Sequence, residues 1–353
     1  MISVTRSPFQ TRLPSAQAGL TLIELMVAMV ISLVIVLAAT AALLISRQGF
    51  TSVDAASQLR DSARFAQDIL QRLGVQAGHR DINFVATVTP PATKGVATVE
   101  PNVFGFNNRA RNSTHAWNEA NASQRTAGSL GYGSDILVLR FQPTGFYPTG
   151  QGAAPTASSE RTDGGMIDCS GDSPDYRSKN YSERIASVLH VSKSIDDEPA
   201  LMCTRWPDGG GSAETQPLIN GVENFQVLYG VDGIGPANAA LPAASTADSV
   251  VDRYLRADQL TVSDDAVTTA NWQRVRSIRI GMVLRGPPGS AVDNTAQTYY
   301  PLGTAKASGS GAVGSMFADN AKDPGTEFKP SADGRLRHVV TFTIHLRNPQ
   351  GDD

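Results

Sequence analysis

The chain has 353 residues, 41% hydrophobic and 18% charged, enough apolar content for one large folded domain or two smaller ones. A formal charge of −3 gives no strongly basic surface for nucleic acid, and 2 cysteines are too few for a disulfide-dense mini-protein or a four-cysteine zinc site. With 32 glycines and 20 prolines the composition favours strands and turns over a helical bundle.

Residues 1–19 are polar and carry Arg6 and Arg12 but no acid. Leu20-Thr21-Leu22-Ile23-Glu24-Leu25 follows, and from Leu25 to Ile45 there are 21 residues without a charge. A helix of that length spans roughly 30 Å, the thickness of a bilayer core. The basic leader predicts a cytoplasmic N-terminus and export of everything beyond Arg47. Glu24 does not suit a plain anchor, because a carboxylate near the end of a membrane helix is costly. A carboxylate that snorkels to the headgroups is the simpler reading of its position. A secretory signal cut near Ala39-Thr40-Ala41 is a competing reading of the segment. It fits less well, because the apolar stretch exceeds the usual 7–15 residues and contains Glu24.

Gly19-Leu20-Thr21-Leu22-Ile23-Glu24-Leu25 resembles the type IV prepilin (class III) signal. The resemblance implies cleavage after Gly19 by a prepilin peptidase and N-methylation of Leu20, the first mature residue. It implies that Glu24, the fifth mature residue, forms the assembly salt bridge with the α-amine of a neighbouring subunit. Leu20 stands where phenylalanine is commoner. In a low-dielectric setting such a pair removes two desolvated charges at once. Losing Arg6 and Arg12 with the leader takes the charge from −3 to −5.

Beyond the apolar run, Val53, Ala56, Leu59, Ala63, Ala66, Ile69, Leu70 and Leu73 recur at helical spacing. They predict an amphipathic continuation that ends near Gly74 or Gly78, with Gly49 a weak point between the halves. The expected layout is a leader at 1–19, a membrane and polymerisation helix at 20–46, an amphipathic helix at 47–78 and an exported head at 79–353. A helix from Leu20 to about Leu73 is roughly 80 Å long. Strands are predicted at 135–142, 184–191, 218–229 and 275–284. The C-terminal run alternates Val340, Phe342, Ile344 and Leu346 with Thr341, Thr343, His345 and Arg347, a half-buried antiparallel strand. Long polar connections at 86–133, 143–179, 232–249 and 286–334 read as surface loops. Cys169 in a loop and Cys203 at a strand end are 34 residues apart. In an oxidising periplasm they most simply form a disulfide, stabilising by about 3–4 kcal/mol through chain entropy.

No phosphate-binding loop, nucleophile elbow or zinc-helix motif is present. Asp208-Gly209-Gly210-Gly211 reads as a turn, 308–315 as linker, His115 beside Trp117 as polar loop. Asn112, Asn121 and Asn180 mark polar surface, and Asp232 and Asp248 frame a loop without EF-hand spacing. No cofactor, metal site or catalytic residue is expected.

The segments 133–142, 218–232, 251–255, 276–280 and 335–348 resemble PilW-like minor pilins in order and spacing; the inserts 235–248 and 286–334 do not. The resemblance implies an α+β, pilin-like fold: a long N-terminal helix on a mainly antiparallel β-sheet head. It implies a non-enzymatic minor pilin in a tip or priming complex that initiates type IV pilus assembly and supports adhesion and twitching motility. Implied partners are other minor pilins, the major pilin, a PilY-type tip adhesin and the inner-membrane assembly platform, with no nucleic acid. The implied location is the inner membrane before assembly and the pilus tip after it. A minor pseudopilin of type II secretion, or a DNA-uptake or adhesive pilin, is the alternative.

Overall fold

The computed structural model describes residues 19–81, 101–111, 123–145, 161–174, 183–207, 213–233, 248–303 and 323–350. Residue contacts divide the chain into two units, Met1–Thr51 and Ser52–Asp353. One helix, α1 (Leu22–Gln76), belongs to both and continues through Gly49 without a break. In the first unit its side chains are exposed, and it is long and apolar enough to cross a membrane.

In the second unit α1 buries Ala55, Leu59, Ala63, Ala66, Leu70 and Leu73, three and four residues apart and therefore on one face. Val53 is exposed rather than part of that stripe. Gly74 is the last buried helical residue, and a Cβ there would lie 2.7 Å from Cγ2 of Ile344. The helix ends at Gln76, and two residues on Gly78, with a φ of +77° that suits glycine, turns the chain away. Nδ2 of Asn348 donates to the carbonyls of Val75 (3.2 Å) and Ala77 (3.1 Å), satisfying groups a helix end leaves open.

All described strand pairs are antiparallel. The first sheet has the order β1-β4-β5-β6-β7. Its members are β1 (Val103–Phe106), β4 (Ile136–Phe141), β5 (Ile185–Lys193), β6 (Pro199–Pro207) and β7 (Glu214–Asn220). The second runs β11-β10-β8-β9, from β11 (Arg337–His345), β10 (Val275–Arg285), β8 (Val222–Val231) and β9 (Arg253–Leu255). A small pair joins β2 (Arg109–Ala110) to β3 (Ser123–Gln124). The result is α+β, a long N-terminal helix with an antiparallel β-sheet head. Leu70, Leu137, Leu189, Phe225, Val227, Tyr229 and Ile280 share one core with both sheets.

The strand expected at 218–229 is two strands in different sheets. Gly221, at φ +81°, separates them. Its N–H donates to Pro199 O of the first sheet, and its carbonyl accepts from Arg285 N of the second, both at 2.7 Å. Asn220-Gly221 is a turn signal that the flanking hydrophobic pattern hid. Two short helices, α2 (Ala257–Leu260) and α3 (Asp265–Gln273), lie where no element was expected. Asp264 caps α3 by accepting from Ala266 N and Val267 N. Trp272 of α3 packs edge-on against Tyr229, ring centroids 4.7 Å apart.

The sheets are also tied by charge. Glu198, before β6, pairs with Arg285 of β10 (2.5 Å) and Arg335 (3.1 Å). Glu223 of β8 pairs with Arg285 (3.1 Å) and Arg337 (2.6 Å), and Arg337 also holds Asp333 (2.8 Å). Burial opposes the charge on Glu198 and Asp333, but the arginines outweigh it and hold both carboxyls below their usual range.

Candidate functional site

The first candidate site is the start of α1. Gly19, Leu20 and Thr21 precede the helix and are exposed. Thr21 is its N-cap and Glu24 its third residue, and the two close a reciprocal box. Glu24 N–H donates to Thr21 Oγ1 (3.3 Å), Thr21 N–H donates to Glu24 Oε2 (3.0 Å), and the threonine hydroxyl donates to the same oxygen (3.1 Å). Glu24 thus anchors its own helix start as well as carrying a charge. The sequence reading gave Thr21 no part; the signal was present, since Thr-x-x-Glu before an apolar run is a capping box. Residues 1–18, with Arg6 and Arg12, lie outside the described residues.

The second is the cysteine pair. Cys169 and Cys203 are joined in a disulfide, Cα atoms 5.7 Å apart. Cys203 sits within β6, rather than at a strand end, and Cys169 in the loop before β5. Both are buried. Cys169 N–H donates to Ser187 Oγ of β5 (3.0 Å), so the loop is held to two adjacent strands. Arg205, two residues beyond Cys203, approaches Asp168 at 3.6 Å. Burial lifts the Asp168 carboxyl above its usual range against its hydrogen bonds to Ser170 and Asp172.

Other sequence candidates resolve into structure. The buried Asp232 accepts from Asp248 N (3.2 Å) and Ser249 N (3.0 Å) and pairs with Arg276 (3.3 Å), closing its loop. His115, Trp117, Asn112, Asn121, Asn180, 208–211 and 308–315 lie outside the described residues. Three buried groups were not singled out from sequence. Asp135 accepts from Asn108 N (3.0 Å) and Val227 N (2.8 Å), taking the place of a strand partner beside β8. Arg125 donates to the carbonyls of Arg109, Leu130 and Val191. His190 contacts Thr204 Oγ1 (3.1 Å), and burial, aided by Arg111 and Arg125, pulls its pKa down to about 3. A lone polar residue in a strand pattern gives no sign of such partners.

Comparison with known proteins bears on both ends of the chain. Residues 14–40 match the prokaryotic N-terminal methylation motif, and residues 188–348 match the family described as type IV pilus-assembly protein W. No curated protein matches the chain. Among solved structures, the type IV-like pilin TTHA1219 from Thermus thermophilus is similar at 13% identity, over 83% of this chain and 98% of that one, with a TM-score of 0.37. The methylation motif, the apolar helix and the antiparallel head define a type IV pilin-related protein whose N-terminal helix suits membrane anchoring. Within that class the chain is PilW-like over residues 188–348.

Proposed function

We propose that this chain is a minor pilin of the type IV pilus, structural rather than catalytic. In this reading prepilin peptidase cuts after Gly19 and Leu20 is methylated. The subunit joins other minor pilins and the major pilin at the inner-membrane assembly platform, in a priming complex that ends at the pilus tip beside a PilY-type adhesin. Adhesion and twitching follow from pilus formation.

The observation that carries the reading is the position of Glu24. It lies five residues after Gly19, inside the matched methylation motif, at the start of an apolar helix. The match to the PilW family over 188–348 supports the pilus over a secretion pseudopilus. A free α-amine at Leu20 meets the Glu24 carboxylate of a neighbour, and the two charges neutralise each other away from water. Intact-mass and N-terminal analysis of the chain from sheared pili tests this. A methylated Leu20 terminus, together with loss of pili in a Glu24→Gln strain that still inserts the protein in the membrane, is the expected result. A different terminus or undiminished piliation rejects it. Loss of exoprotein secretion with piliation intact assigns the chain to a type II pseudopilus instead.

A further inference from the structure

Among the described residues the two larger sheets of the head have four edges, and three carry a device against pairing with another chain. β1 has four residues. β9 has three. β7 contains Pro217, and its pairing with β6 shifts register between Leu201 and Met202. Short length, proline and irregular register are the means by which edges are kept single.

The fourth edge, β11, has none of them. Its nine residues pair with β10 in continuous register from Arg285↔Arg337 to Ser277↔His345. Val339 to Ile344 is uncharged, β-branched or aromatic, and without proline or glycine. The parity of the ladder is fixed at both ends. Leu346 N donates to Arg276 O, and Gly286 N donates to Leu336 O. Even-numbered residues therefore turn their backbone groups to β10, and Val339, Thr341 and Thr343 turn theirs outward. Among the described residues no backbone group pairs with that outer row. The strand is nonetheless held firmly, with Ile344 buried beside Gly74 and Thr341 Oγ1 donating to Pro301 O (2.5 Å).

We infer that the outer edge of β11 is a strand-addition site for an uncharged extended segment, acidic at one flank, carried by a different pilin-class subunit. Alternating N–H and C=O groups along a straight edge are matched by another extended backbone. The flank follows from charge: residues 335–348 contain no acid, and His345 and Arg347 are exposed. A second copy fits poorly. Antiparallel pairing of two β11 strands about Thr341 sets Arg347 against Arg335, whose charge Glu198 already holds, so a second copy brings no free acid to that flank. The inference rests on the pilin reading for the identity of its partner.

The test uses the full chain, tagged and purified from detergent-solubilised membranes. Co-purifying proteins are scored for a prepilin motif, and hydrogen exchange is followed at the amides of Val339, Thr341 and Thr343. Thr343→Pro removes an outward donor without touching the β10 ladder, and Thr343→Lys adds a charge while keeping the N–H; thermal melts confirm that both fold. The expected result is a co-purified pilin-class subunit, slowed exchange at the three amides relative to the chain alone, and loss of that subunit in both variants. If a pilin-class subunit binds but exchange is unchanged and both variants retain it, the edge inference falls while the pilin reading stands. If no pilin-class protein associates, both fall. A homodimer through β11 also overturns the choice of partner.

Discussion

Gly74 shows how one missing side chain fixes a contact between distant parts of the sequence. It lets α1 approach Ile344 of β11 closely enough that a Cβ would sit 2.7 Å from Cγ2. Gly74→Val is expected to lower stability by about 1–3 kcal/mol through overpacking. Ile344→Ala in the same chain should return part of that loss, a coupling measurable by a double-mutant denaturation cycle. From sequence, this glycine is a plausible helix terminator; its role in packing depends on a strand 270 residues away and no local pattern reports it. Glu24 is the opposite case, because its spacing from Gly19 and its place in an apolar run are visible in sequence. A Thr21→Val variant removes the capping hydroxyl and leaves the carboxylate in place. Circular dichroism of a membrane-inserted peptide should show a frayed first turn, with helicity beyond Glu24 unchanged.

At the level of elements, the disulfide joins a loop to a strand that hydrogen bonds already hold within a sheet. Cys169 and Cys203 close 34 residues, which include all of β5. Cys203→Ala is expected to cost about 2–5 kcal/mol in denaturant. The amides around Cys169 should then exchange sooner, because the loop keeps only single hydrogen bonds, Cys169 N–H to Ser187 Oγ and Ile167 N–H to Gln76 Oε1 among them, and the contact of Asp168 with Arg205. Strands with period-two hydrophobicity, β4, β10 and β11, were legible from their own residues. β7 and β8 were not separable, because hydrophobic residues flank Gly221 and the change of sheet is set by partners at Pro199 and Arg285. α2 and α3 went unread because their polar faces hide the period; α2 brings Ala257 and Leu260 into the core and α3 brings Trp272.

For the whole molecule, acid should act through the buried imidazole of His190. It stays neutral in the fold, with a pKa of about 3, whereas in the unfolded chain it takes a proton near 6.5. Its contribution is therefore complete above pH 6.5 and is lost as pH falls toward 3, by about 2 kcal/mol at pH 5. Asp135 and Asp168 work in the other direction, since burial raises both and the folded chain holds their protons more tightly. Subtracting the stability curve of His190→Gln from that of the wild type isolates the histidine. A difference that does not change between pH 7 and 5 rejects this assignment. The pilin architecture and the membrane segment were legible because each rests on a long, regular pattern. The buried polar groups were not, because their meaning lies in which loop carbonyls and amides face them.

The edge-on contact between Trp272 and Tyr229 has a practical consequence. The tyrosine hydroxyl fills the space left by Gly105 of β1, so the indole rests on a side chain that reaches from one sheet to the other. With Trp117 and Trp206 changed to phenylalanine, its emission becomes an optical gauge of sheet separation. Reducing the disulfide should leave that emission blue while the 161–174 loop loosens, and a red shift should come only when the two sheets part.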